Sequence, residues 1–162
     1  LFEQLDQSRN KHVALIATLC LATGARWSEA QCLRAELVRD GRVTYVDTKN
    51  GRSRSVPLSD ELYQRLKAHG PQIGRLFRQD AYQAFTNALS KSGITLPKGQ
   101  RTHVLRHTFA SHFIMNGGNL LTLQKILGHQ SIQMTMRYAH VAPDHLTEAV
   151  TYGPKVDTVD TL

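Results

Sequence analysis

Between Thr102 and Tyr138 the chain is punctuated so closely that little freedom is left in how it can fold. Thr102 is a candidate N-cap for a helical run, and His103 and Arg106, spaced i and i+3, leave one face of that run together. Gly117-Gly118 break the run. Asn119 to Leu127 then read as a second helix, with Leu120, Leu123, Ile126 and Leu127 on its buried face. Gly128 ends this helix and delivers His129 at its mouth. Ser131 is placed to cap a third, short helix, on which Tyr138 falls about two turns along. A chain that obeys these stops brings an arginine, two imidazoles and a phenol toward one place.

Upstream, residues 9 to 22 predict a helix with Val13, Ile16, Ala17 and Cys20 on one stripe and Leu15 and Leu19 beside it. A helix apolar on more than one side belongs at the centre of a core. Thr23-Gly24-Ala25 ends it, and Arg26 falls in the turn. Ser28 with Gln31 has the spacing of a capping box, so a second helix is expected from there to about Leu37. Arg26 is then held between two helices, anchored by Trp27 and Leu33, with Glu29 available to pair with a nearby arginine.

Asp40-Gly41 is a turn signal, Val43 to Asp47 alternates as a strand, and Asn50-Gly51 is the strongest short hairpin signal in the chain. Arg54 to Leu58 returns, with Pro57 marking an edge or a strand end. Taken by spacing, Lys49 to Arg54 is a solvated, charged turn that blunts a sheet edge. Further helices are expected over Ser59 to His69, with Leu62 and Leu66 inward, and over Asp80 to Ser90, with Ala81, Phe85, Ala88 and Leu89 as its packing face. The pattern is mainly α with a small antiparallel sheet of two or three strands, an α+β domain over residues 1–150. Residues 151–162 form a polar tail with little to fix it.

The 162 residues suffice for one domain with a proper core. The chain opens without Met, in the helical Leu1-Phe2-Glu3-Gln4-Leu5, and reads as a domain cut from a longer protein. Its formal net charge of +7 and pI near 9.7 point to an anionic partner, of which nucleic acid is the commonest. Cys20 and Cys32 sit among apolar neighbours without CxxC spacing and read as buried, reduced thiols. The Ala14 to Ala22 run is too short to span a bilayer.

Three strings occur in a fixed order: Gly24-Ala25-Arg26-Trp27-Ser28-Glu29-Ala30, then Thr102-His103-Val104-Leu105-Arg106-His107-Thr108, then Leu127-Gly128-His129 nine residues before Tyr138. Together they resemble the tyrosine recombinase (phage integrase) family, and the resemblance covers almost the whole chain. It implies the DNA breaking-rejoining catalytic fold and a site of Arg26, Lys49, His103, Arg106, His129 and Tyr138. It also implies that Lys49, at the hairpin, reaches into the minor groove and protonates the leaving oxygen. His129 stands where some relatives carry Trp.

The chemistry these side chains suit is attack by a tyrosine on a phosphodiester. Fixed cations stabilise the charge that builds on the non-bridging oxygens, and the planar fork of arginine binds two oxygens at once. Arg26 and Arg106 form this clamp, with His129 as a further donor and no metal or cofactor required. Tyr138, with an ordinary pKa of about 10, needs local cations or a base to ionise. His103 is the candidate base, and by resemblance it also orients the phosphate. The product is a covalent 3′-phosphotyrosyl bond and a free 5′-hydroxyl, so strand exchange needs no ATP.

Other residues are set aside. His103, His107 and His112 hint at metal-ligand spacing, but no Glu lies between them and Arg106 shares their face. His107 is expected to hydrogen-bond in the core, His112, His140 and His145 to be structural or exposed, and Met134 and Met136 to pack. Tyr45, Tyr63, Tyr82 and Tyr152 are rival nucleophiles that follow no Leu-Gly-His string.

The implied partners are double-stranded DNA attachment sites, three further protomers in a tetramer on two duplexes, and DNA-bending accessory proteins, all in the bacterial cytoplasm without a membrane. The isolated domain is expected to be a monomer, or a dimer through a C-terminal tail that either docks on a neighbour or frays. Truncation of the usual N-terminal core-binding and arm-binding domains implies weak, salt-sensitive DNA binding. The competing readings are a non-catalytic DNA-binding module that keeps the fold and a type IB topoisomerase.

Overall fold

A computed structural model of the chain describes residues 1–47, 52–97, 99–143 and 151. Among the described residues the helices are α1 (Phe2–Asp6), α2 (Val13–Thr23), α3 (Trp27–Gln31), α4 (Asp60–His69), α5 (Tyr82–Lys91), α6 (His103–Met115), α7 (Leu120–Leu127) and α8 (Gln133–Met136), with 3₁₀ turns at Ala35–Leu37 and Ala139–Val141. Strands β1 (Val38–Arg39), β2 (Arg42–Asp47) and β3 (Arg52–Pro57) form one antiparallel sheet in sequence order. The expected α+β architecture is the one found. No helix among these residues is long and apolar enough to cross a membrane.

Helix α2 is the central strut. Val13, Leu15, Ile16, Ala17, Leu19 and Cys20 are all buried, and the helix packs on α1, α3, α5 and α6. It begins at Val13 instead of Arg9. The Asn10 side chain accepts the His12 N–H at 2.9 Å, and this local turn competes with the helix. Gly24 ends it at φ 66°, and an added Cβ there would lie 2.6 Å from the Phe109 ring and 2.7 Å from the Leu127 side chain. The glycine therefore sets how closely the α2 end approaches α6 and α7.

Helix α3 is shorter than the sequence predicts and is capped differently. Glu29 closes its first turn by accepting the Arg26 N–H at 2.7 Å, whereas Gln31 accepts from Trp27 Nε1 at 2.9 Å and from the Ala81 N–H at 3.1 Å. The chain then turns away because Ala35 N–H bonds Gly74 O and Leu76 N–H bonds Leu33 O, both at 2.9 Å. Cys32, at the end of α3, is exposed, contrary to expectation.

The β1–β2 hairpin turns on Asp40 (φ 53°) and Gly41 (φ 67°), the backbone of a two-residue type I′ turn. Strands β2 and β3 pair from Arg42↔Pro57 to Asp47↔Arg52. The tip between them, with Lys49 and Asn50-Gly51, lies outside the described residues, as do His145 and Tyr152. Val43, Tyr45 and Val56 face inward; Tyr45 Oη meets Thr23 Oγ1 at 2.8 Å and ties the sheet to the end of α2.

The large core gathers α1 to α5, the sheet and Leu105. A second, smaller cluster holds Ala110, Ile114, Leu123, Leu127 and Tyr138. Thr102 and Ser131 make no side-chain cap; α8 starts at Gln133, and Tyr138 comes just after it instead of upon it. Met134 and Met136 are about half exposed, at 47% and 51%, and do not pack as expected.

Candidate active site

A cleft of about 620 Å³ opens where the two clusters meet, and Arg26, His103, Arg106, His107, His129 and Tyr138 line it. Five of the six residues expected at the site are thus brought together from the α3 cap, α6, the α7 end and the chain after α8. Lys49 lies outside the described residues.

Arg106 is buried, at 7% exposure. Its Nη1 donates to Gly24 O at 2.6 Å and its Nη2 to Leu127 O at 2.7 Å, so one guanidinium joins the C-terminal ends of α2 and α7. Both ends carry partial negative charge, which favours a cation there. Burial, then neighbouring Arg26 and Arg54, lower its pKa to about 10, which leaves it charged at neutral pH. With two of its five N–H groups used on carbonyls, the others remain for a ligand.

Arg26 is the N-cap of α3 and donates Nη1 to Glu29 Oε1 at 3.0 Å. Glu29 also receives both Nη groups of Arg54, at 2.9 Å and 2.6 Å. Burial would raise the Glu29 carboxyl, but the bonds from Arg54 and the Arg26 backbone, with both charges, hold it below its usual range. Arg54 further donates Nε to Ile126 O at 2.7 Å and lies over the Tyr45 ring, 4.8 Å from its centroid. Arg54 is a site element that sequence reasoning missed. The available signal was its place on the face of β3 shared with inward Val56.

Gly128 (φ 67°) caps α7, and His129 follows with its N–H on Gln124 O at 3.1 Å. Its Nδ1 lies 2.9 Å from the buried Thr135 hydroxyl. Burial, then the charges of Arg106, Arg26, Arg137 and Arg54, push the imidazole down to about 4. It is neutral at neutral pH and serves as a hydrogen-bonding group without charge.

Tyr138 is 5% exposed, and its phenol lies 2.6 Å from Nδ1 of His107, not on His103. Burial raises the phenol pKa while Arg137 and Arg106 oppose the rise. Burial, then Arg137, His103 and Arg106, lower that of His107. His103 stands exposed at the first turn of α6 on the same cleft. Among the described residues no three His, Cys, Asp or Glu side chains gather as a metal-ligand set.

Residues 1–70 and 71–145 match the phage integrase family. Over 154 residues the chain is 54% identical to the integrase of Haemophilus phage HP1, covering 95% of this chain and 44% of that protein. Over 151 residues it is 56% identical to the integrase of Escherichia phage 186, covering 92% and 44% respectively. The solved catalytic domain of bacteriophage HP1 integrase matches with a TM-score of 0.88 at 55% identity, covering 94% of this chain and 89% of that one. The chain therefore spans less than half the length of these two integrases, and with this sequence and fold it belongs to the phage integrase family.

Proposed function

We propose that the chain is the catalytic part of a site-specific DNA recombinase, an integrase that cuts and rejoins strands through a 3′-phosphotyrosyl intermediate. The observation that carries this reading is the meeting of Arg26, His103, Arg106, His129 and Tyr138 in one cleft, although they are scattered from the first quarter of the chain to its last. Arg26 and the free N–H groups of Arg106 hold the non-bridging oxygens of the scissile phosphate. His103 adds a donor at the cleft mouth. Neutral His129, its Nδ1 held 2.9 Å from the Thr135 hydroxyl, turns Nε2 to the same phosphate as a hydrogen-bonding group.

As Tyr138 Oη bonds to phosphorus, the bond to the 5′-oxygen breaks, the phenol gives up its proton and the leaving oxygen gains one. Lys49 supplies that last proton by family resemblance. A 5′-hydroxyl from another strand reverses the step. Because two duplexes are each cut on both strands, four protomers assemble on double-stranded DNA, with bending proteins assisting, in the cytoplasm of a bacterial host. Residues 1–150 act as the catalytic unit and the tail after them as its link to a neighbour.

A pool of nicked duplexes randomised over the core, incubated with the chain in EDTA, tests this. The expected result is a covalent protein–DNA adduct that is absent with Tyr138→Phe. Failure of every duplex, including the parent attachment site with the full-length parent, would overturn it in favour of a binding module. Plasmid relaxation without recombinants would favour a topoisomerase.

A further inference from the structure

We propose that His107 is the base that takes the phenol proton when Tyr138 attacks, a role that rests on the recombinase reading above. The contact is already formed: Nδ1 to Oη is 2.6 Å, inside the reach a general base needs. The two rings lie with centroids 5.9 Å apart and tilted by 48°, so the imidazole nitrogen, not its face, meets the hydroxyl. His107 sits mid-turn on α6, a thirteen-residue helix, and does not depend on a loop for its aim.

The surroundings keep the imidazole neutral until it is needed. Sharing the cleft with it are His103 and Arg106 on its own helix, Arg137 and Tyr138 after α8, His129 after α7 and Arg26 at the α3 cap. Burial first, then the charges of Arg137, His103 and Arg106, disfavour a second proton on His107. Its lone pair is then free for the phenol. A phosphodiester entering the clamp brings negative charge to the same cleft, which stabilises the imidazolium as the proton moves from Oη to Nδ1. In the reverse step the same nitrogen returns the proton to the departing phenolate.

The test uses single-turnover adduct formation on the nicked pool across pH, comparing the wild-type chain with His107→Asn. Asn keeps an acceptor near the position of Nδ1 but cannot hold a proton. The expected loss is roughly 10²- to 10⁴-fold. The wild-type rate should rise with pH through the His107 titration and then level, whereas the Asn variant should keep rising toward the ionisation of the phenol itself. Replacing the bridging 5′-oxygen by sulfur, which needs no acid to leave, should not rescue the variant. An unchanged or faster rate, or a retained plateau, overturns the proposal. Absence of adduct both with this chain and with the full-length parent on its attachment site overturns the recombinase reading and this role together.

Ring-nitrogen NMR of the chain without DNA gives an independent reading. His107 should carry its proton on Nε2, and Tyr138→Phe should raise its pKa by removing the donated hydrogen bond. A proton found on Nδ1, with a titration insensitive to Tyr138→Phe, overturns the proposal whatever the DNA assay shows.

Discussion

Arg54 and Glu29 meet fork to fork, Nη1 on Oε1 at 2.9 Å and Nη2 on Oε2 at 2.6 Å, although one lies on a strand and the other in the first turn of a helix. Both side chains are largely buried, at 12% and 14% exposure. The pair fixes three things at once, because Glu29 also holds the Arg26 backbone and guanidinium, and Arg54 also holds Ile126 O beside the end of α7. Arg26 and His129 are thus set relative to each other through a carboxylate that does not itself line the cleft.

Removing one partner of such a pair leaves the other charge buried and unmatched. Glu29→Gln should therefore destabilise the fold by about 3 kcal/mol or more, and Arg54→Met by a similar amount. The double variant should cost less than the sum, since neither charge is then stranded. Urea unfolding of the four proteins in a double-mutant cycle measures this. Additive losses would show that the pair is not coupled.

Stability should fall as pH drops below neutrality. His129 has a folded pKa of about 4 against an ordinary 6.5, so between these values the unfolded chain binds a proton that the folded chain refuses. Its contribution is complete above pH 6.5 and is lost as pH falls toward 4. His12 and His69, 2.7 Å apart, are both lowered by burial, His69 also by His12, and act with the same sign. Glu29, also lowered, adds a loss only below its ordinary 4.5. Denaturant unfolding at successive pH values should show a positive slope between those limits, and His129→Gln should flatten it. An equal slope in the variant would place the titrating group elsewhere.

Gly24 combines a left-handed backbone with a close approach, and the two effects can be separated. Gly24→Ala meets the Phe109 ring at 2.6 Å and Leu127 at 2.7 Å, whereas Gly41→Ala, at nearly the same φ, meets nothing within 4 Å. Strain alone predicts roughly 1 to 2 kcal/mol at Gly41. Strain plus overpacking predicts about 2 to 4 kcal/mol or more at Gly24. Because Gly24 O anchors Arg106, the first variant should also impair adduct formation, and the second should leave it intact. Equal melting shifts and equal activity in the two variants would contradict this.

Much of the site was readable because its residues sit at element ends that local chemistry fixes. Gly24 and Gly128 stop helices wherever the chain around them packs, and Asn119 caps α7 with its own oxygen, so Arg26 and His129 fall at the element ends expected of them. The hydrogen bond of His107 was expected, but its partner, like that of Arg54, lies far along the chain. A charge on the inward face of β3 and an imidazole at i+4 from His103 were visible signals, but only packing reveals a buried carboxylate for one and a phenol for the other. The early end of α3 has the same cause: long-range bonds from residues 33 and 35 to 74 and 76 override a local helical preference.

Arg106 tests whether the clamp and the fold share one group. Arg106→Lys keeps a charge, but its ammonium lacks the planar fork that spans Gly24 O and Leu127 O while leaving other N–H groups for a ligand. At least one buried carbonyl then loses its partner, at a cost of about 1 to 3 kcal/mol. Adduct formation should fall further than stability explains, by about 10²-fold or more, because the fixed donors to the phosphate are displaced together with the carbonyl contacts. Measuring both on the same preparation, well below the melting temperature, separates the two effects. A Lys variant that is destabilised yet cuts DNA at the wild-type rate would make Arg106 a structural brace only, and leave Arg26 as the clamp.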